Sequence, residues 1–391
     1  MTDEVPMRHF DHFSAEDEQN LFALAPQPFT RDDESAVLAQ SLGATLYCPA
    51  TRPALAKDIV RQRAGGLTSV VVCLEDAVAD EDLEAAECNA LDQLRELAAL
   101  DAAGPLVFVR VRTPEQIPAL VAGLGDAAAV LTGFVLPKFT ARTGPAFLAA
   151  VAAASRSTGR MLRVMPVLES PELAHAESRT AVLLGVRDLL AEHREHVLAV
   201  RIGATDLSGA YGLRRSRELT VYDVRVVADV IADIVNVFGR ADGSGHVITG
   251  PVWEYFPSPE RMFKPQLRQT PFAEHRERSL RARLIARDLD GLIREVVLDR
   301  ANGLVGKTVV HPSHVAAVHA LSVVNHEEYA DAVDVLGRTD GGAAASAYRN
   351  KMNESKPHAA WATRIVQRAR VFGVARPETS FVDLLSAGLA A

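Results

Sequence analysis

Eight short apolar runs recur between residues 44 and 312: "ATLYCP" (44–49), "SVVVCLE" (69–75), "LVFVRV" (106–111), "GFVLPK" (133–138), "RVMPVLE" (163–169), "VLAVRIG" (197–203), "HVITGPV" (246–252) and "KTVVHP" (307–312). Each is apolar almost throughout instead of alternating with polar residues, as a strand must be when both faces of a parallel sheet are covered. Most are followed by a longer segment with apolar residues near period 3.6, such as "DEDLEAAECNALDQLRELAAL" after the second and "GPAFLAAVAAASRS" after the fourth. This is βα repetition. Eight such units predict an α/β chain folded as a (β/α)8 TIM barrel. A doubly wound sheet is the competing architecture, but no glycine fingerprint follows the first run.

The flanks break the pattern. Residues 1–40 lack periodicity and carry Pro26, Pro28 and many acids, which predicts an N-terminal arm outside the core. The barrel domain is expected over 41–325, with a C-terminal helical extension over 326–391. Within that extension "RTDGGAAASAYRNKMNESKPH" reads as a mobile loop able to act as a lid, and "AAWATRIVQRARVFGV" as a docking helix.

Composition narrows the function classes. With 48% hydrophobic residues and 24% charged, the chain is of ordinary globular type. A formal net charge of −8 argues against a nucleic-acid binder, which needs a basic surface for phosphates. The basic run "LRQTPFAEHRERSLRARLIARD" reads as a solvated helix face with i,i+4 pairs. Cys48, Cys73 and Cys88 show no metal-type spacing, which predicts a reduced, cytoplasmic protein. The first twenty residues are polar and acidic, and no apolar span of membrane length follows, so neither secretion nor membrane insertion is expected.

In a barrel of this kind the strand ends converge on one mouth. The runs deliver mostly charged residues there: Glu75 and Asp76, Arg110, Lys138 after Pro137, Glu169, Asp206 shortly after the sixth run, and His311. Glu169 and Asp206, from adjacent strands, suit a hard octahedral ion such as Mg²⁺. Taken alone, Asp206 also reads as a first-turn helix acid. The fork of Arg110 suits a substrate carboxylate, and an internal ion pair to Glu75 or Asp76 is an alternative compatible with it. Lys138 reads as a substrate-binding group or as an ion-pair partner of the same acids, and such neighbours keep it charged, against Schiff-base chemistry. His311 reads as a site residue or as a structural histidine.

Taken in order over residues 44–325, these motifs resemble the citrate lyase beta subunit and HpcH/HpaI aldolase group of carbon–carbon lyases. "LYCPATRP" is similar to that family's L-[FY]-x-P-[AG]-x-R-P, "VVVCLEDAVADED" to D-L-E-D-[AS]-V, and "FVRV" to V-R-[IV]-N. "LPK" is similar to L-P-K-V-E, "PVLESPE" to I-E-T, "RIGATDLS" to G-x-x-D-L, and "KTVVHPSHV" to G-K-x-x-I-H-P.

The resemblance implies a barrel, Mg²⁺ on Glu169 and Asp206, a substrate carboxylate on Arg110, and a first-loop arginine at Arg52. It also implies that Glu75 and Asp76 hold waters or the arginine, and that the chain forms a homotrimer or homohexamer. The activity implied is aldol or Claisen cleavage, or the reverse condensation, of a 3-hydroxy carboxylic acid or its acyl thioester, with a small carboxylate or acyl-CoA as substrate. Two departures bear on substrate identity: Arg112 stands where the family has Asn, and Thr205-Asp206 where it has Glu-Asp. Acyl-CoA members close a neighbour's site with a C-terminal aspartate. Here Asn353 and Glu354 of "KMNESKPH" stand near that place, which makes Glu354 a candidate base in trans beside a metal-held water near Glu75. The rival readings are a Mg²⁺-dependent aldolase or decarboxylase of free 2-oxo acids, and a metabolite-binding barrel without turnover.

Overall fold

A computed structural model describes residues 6–101, 104–256, 289–338 and 342–390. The eight apolar runs form eight parallel strands closed into one barrel. They are β1 (Ala44–Pro49), β2 (Ser69–Cys73), β3 (Leu106–Arg110), β4 (Leu131–Leu136), β5 (Arg163–Leu168), β6 (Val200–Ile202), β7 (Ile248–Trp253) and β8 (Val305–Val309). β1 pairs with β2 on one side and β8 on the other, which closes the ring. A helix follows each strand, from Leu55–Ala64 after β1 to Val315–Ser322 after β8.

Alternate residues of each strand point to opposite faces. Val70, Val72, Val107, Val109 and Phe134 join the large core between strands and helices. Val71, Phe108, Val135, Met165 and Val167 face the barrel interior instead. The interior parity continues upward from Phe108 to Arg110, from Met165 through Val167 to Glu169, and from Ala199 to Arg201. The same faces that are apolar at the base are therefore charged at the mouth.

The N-terminal segment corrects one expectation. From residue 6 it is packed into the protein, not held outside the core. Met7, Phe29, Leu38 and Leu42 join the interior cluster, and Phe10, Phe13 and Phe22 join the outer core. Phe22–Leu24 also pairs antiparallel with Val374–Ala375. Leu38 and Leu42 stand one turn apart at the helix Ser35–Ser41, whereas Phe10, Phe13 and Phe29 lie outside helices and strands, where no period betrays them.

The C-terminal extension is helical, and its long helix Ser355–Phe372 docks as expected. Ala362, Ile365 and Ala369 pack with Ala332 and Val335 of the helix His326–Gly337. Arg364 Nη2 donates to the Gly239 carbonyl at 2.8 Å, which anchors the long helix at the end of the barrel opposite the mouth. The stretch read as a mobile loop carries an antiparallel hairpin, Ala343–Ala345 with Met352–Glu354. The basic run at 267–288 lies outside the described residues. Among the described residues no helix is long and apolar enough to cross a membrane.

Lys307, the lysine of the "GK" motif, faces away from the interior. Its Nζ lies 2.7 Å from Glu295 and 2.7 Å from Asp299, both on the helix Leu289–Ala301, and all three side chains are fully buried. Arg215 also pairs with Glu295, and Tyr222 donates to Asp299 at 2.8 Å. Replacing Lys307 with Met leaves buried acids short of a cation, so a urea titration should show stability lower by about 3–5 kcal/mol. An unchanged midpoint would mean that the lysine is dispensable to this cluster.

Candidate functional site

The charged strand ends meet at one mouth. Arg110 ends β3, and its Nη2 lies 2.6 Å from Glu75 Oε2, 2.9 Å from Asp76 Oδ2 and 3.0 Å from Glu169 Oε1. Lys138, just past β4, puts Nζ 2.7 Å from Glu75 and 3.3 Å from Asp76. Its backbone N–H donates to Glu169 Oε1 at 2.9 Å. Lys138 holds φ at +45°, uncommon for a residue with a Cβ, and these contacts secure it there.

Glu169 is 3% exposed and rests against Gly203, where an added Cβ would come within 2.1 Å of Glu169 Oε2. Only glycine leaves room for that carboxylate. Asp206 follows three residues later in the first turn of the helix Ala204–Gly209. Asp206, Glu169, Arg110, Asp76, Tyr47 and Arg201 line one cavity of about 730 Å³. Pro137 lies beside it, lining a neighbouring cleft with Glu75, Lys138 and Arg112.

Burial pushes the Glu169 carboxyl up to about 7; Arg110 pulls it down and Asp206 adds to the rise. Asp206 is raised as well, by burial and then by Asp76. Glu75 is raised by burial and by its contact with Asp76. Asp76 is lowered, because hydrogen bonding with Glu75 and the charges of Arg110 and Lys138 outweigh its burial. Two acids that resist ionisation and face a common cavity fit a hard divalent cation. Among the described residues no group of three or more His, Cys, Asp or Glu side chains is placed to hold a metal, so such a seat rests on two carboxylates.

Three sequence candidates lie outside this cluster. Arg52 pairs with Asp58 on the rim, with half of its side chain exposed. His311 accepts from the Ser313 backbone N–H at 3.2 Å and stacks on Phe256, a structural position. Glu354 ends the C-terminal hairpin as the N-cap of the docked helix and does not line this cavity.

Two arginines escaped the reading of the strand ends as site residues. Arg112 donates to the carbonyls of Leu74, Glu75 and Val78 and pairs with Asp80, so it braces the loop that carries Glu75 and Asp76. Arg201 is 2% exposed inside the barrel. Its signal was parity: it stands two residues before Gly203, on the face that carries Glu169 at the end of the preceding strand, β5.

Residues 36–374 match a family described as C-C bond lyase of the TIM-barrel fold. The chain belongs to this family. No curated protein sequence matches it. Among solved structures, a citrate lyase from Burkholderia xenovorans LB400 is similar at 15% identity with a TM-score of 0.57, covering 88% of this chain and 95% of that one. CitE from Mycobacterium tuberculosis, in complex with magnesium, acetoacetate and coenzyme A, is similar at 22% identity with a TM-score of 0.50, covering 85% of this chain and 99% of that one. The resemblance read from the motifs is thus borne out as a lyase-type enzyme on a TIM barrel.

Glu169 also predicts a pH dependence. Its folded pKa of about 7 lies above the ordinary 4.5, so between these values the folded chain holds a proton that the unfolded chain releases. Stability then falls as pH rises through that window, and the whole penalty is in place above it. In metal-free protein, the Tm difference between wild type and Glu169→Gln should shift in favour of the variant from pH 5 to pH 8. A difference that stays flat would contradict the raised pKa.

Proposed function

We propose that this chain is a Mg²⁺-dependent carbon–carbon lyase that cleaves, or forms by condensation, a 3-hydroxy carboxylic acid or its acyl thioester. The observation that carries this reading is the pair of raised acids, Glu169 and Asp206, at neighbouring strand ends over one cavity. These two would hold the ion. Bound there, Mg²⁺ supplies Lewis-acid stabilisation for an oxygen that gains negative charge as the bond breaks.

The chain's own residues do the rest. Cleavage requires a base for the 3-hydroxyl proton and positive charge beside the carboxylate or carbonyl. Arg110 presents a permanent charge at the cavity wall, and its buried Nε has no hydrogen-bond partner in the protein. Glu75, held by Lys138, Arg110 and the Asp76 N–H, is a base whose proton affinity is already raised. Asp76 stays ionised beside it and stabilises the protonated form.

Glu354 is the second candidate base, acting from a neighbouring copy in a trimer or hexamer. What supports this is placement. In its own protomer the hairpin lies away from the mouth, while Tyr348, Met352 and Trp361 around it are exposed. Such apolar exposure suits an interface. A free 2-oxo acid is the second reading of the substrate, favoured by the buried charge of Arg201.

Turnover tests the first reading. Incubating the protein with 3-hydroxy acids and their CoA esters should release pyruvate, glyoxylate, oxaloacetate or free CoA only when Mg²⁺ is present. Glu169→Gln and Asp206→Asn should each weaken Mg²⁺ binding by more than about 10-fold in calorimetry. Unchanged affinity in both variants would place the ion elsewhere.

The trans base has its own test. Inactive Glu169→Gln and Glu354→Gln proteins, mixed under conditions of verified subunit exchange, should regain partial activity. Full activity of Glu354→Gln alone would remove this residue from the mechanism.

A further inference from the structure

Arg201 carries a charge that the site leaves unanswered. It lies on β6 beside Val167 of β5, one inward step below Glu169. Its Nη2 donates to Thr308 Oγ1 at 2.5 Å, Nη1 lies 3.4 Å from Met165 Sδ, and its guanidinium carbon lies 5.3 Å from the centre of the Tyr47 ring. All three partners are neutral. Among the described residues no carboxylate pairs with it, although it is almost wholly buried and lines the cavity.

The other charges at the mouth are matched. Arg110 and Lys138 stand against Glu75 and Asp76, and a divalent ion would stand against Glu169 and Asp206. Arg201 is left over. A buried guanidinium without a counter-charge is expensive, and its planar fork is the group best shaped to take a carboxylate at two points.

We propose that Arg201 anchors the carboxylate of a short diacid at the cavity floor, while the other end of that molecule reaches the Glu169 and Asp206 seat. Two residues along a strand separate the Arg201 level from Gly203, against which Glu169 rests, a rise of about 7 Å. That spacing suits a short hydroxy- or oxo-dicarboxylic acid. The inference rests on the lyase reading only for what holds the second end.

Calorimetry on the full chain with Mg²⁺ tests it, using racemic malate and racemic lactate. Both offer a 2-hydroxy carboxylate to the ion, and only malate has a second carboxylate. Wild type should bind malate at least about 10-fold more tightly than lactate, and Arg201→Gln should erase that preference. The variant should keep its Mg²⁺ and lactate affinities within about two-fold, and Arg201→Lys should fall between the two. Equal binding of both acids by wild type, or equal weakening of both in Arg201→Gln, overturns the proposal.

Phenylglyoxal labelling of Arg201 in wild type, read by mass spectrometry, decides the same point without a variant. Malate should protect and lactate should not; labelling that is equal under both counts against the anchor. If Mg²⁺ itself fails to bind, the metal reading falls, and the malate-to-lactate ratio in metal-free protein still decides Arg201.

Discussion

Without the charge of Arg110, Glu75, Asp76 and Glu169 would face one another at a largely buried barrel mouth, and like charges so placed cannot all stay ionised. One nitrogen of that guanidinium reaches all three within 3.0 Å. Two loops depend on it, because Glu75 and Asp76 share the turn after β2 and Glu169 closes β5. Lys138 makes the constraint mutual: its side chain holds Glu75 and its backbone N–H holds Glu169, which ties the β4 turn to the ends of β2 and β5. The mouth is therefore a closed circuit of charge, and any ligand must enter by complementing it.

The base of the barrel has the opposite character. There the interior is filled by Val71, Phe108, Val135 and Met165, and Met7, Phe29, Leu38 and Leu42 from the N-terminal segment complete the same cluster. That segment seals a dry core beneath a charged site, so the acids above lose solvent on one side. Burial is also the first cause of the raised Glu169 pKa. Stability at one end and chemistry at the other are divided as barrels of this type divide them.

Much of this was legible because burial on both faces writes strands as apolar runs, and all eight were found within a few residues of their observed bounds. The convergence of Glu75, Asp76, Arg110, Lys138, Glu169 and Asp206 was legible too, because a charged residue closing an apolar run has few places to go. Other parts were not. Phe10, Phe22 and Phe29 pack as single knobs, and a knob leaves no period. Arg201 hid inside an apolar run, where only its parity with Gly203 marks it as facing inward. The hairpin at 343–354 is built mostly from Ala and polar residues with no alternating apolar face, and Asp331 anchors it through Asn353 at 3.1 Å and Lys351 at 2.7 Å.

The two departures from the family pattern gain physical content from their partners. Arg112, in place of an asparagine, spends its donors on the carbonyls of Leu74, Glu75 and Val78. It therefore fixes the backbone beneath the acids and leaves the cavity to Arg110 and Arg201. Thr205, in place of a glutamate, lies 3.2 Å from Glu254 Oε1, and Glu254 is held by Arg215 at 3.4 Å. An acid absent from the turn before Asp206 is thus supplied beside it from the end of β7. Arg215 in turn pairs with Glu295, the partner of Lys307, so this acid is tied to the buried cluster that joins β8 to its neighbouring helix. The rim next to Asp206 accordingly takes its support from the barrel wall, whereas the rim next to Glu75 takes it from Arg110, from Lys138 and from the loop that Arg112 braces.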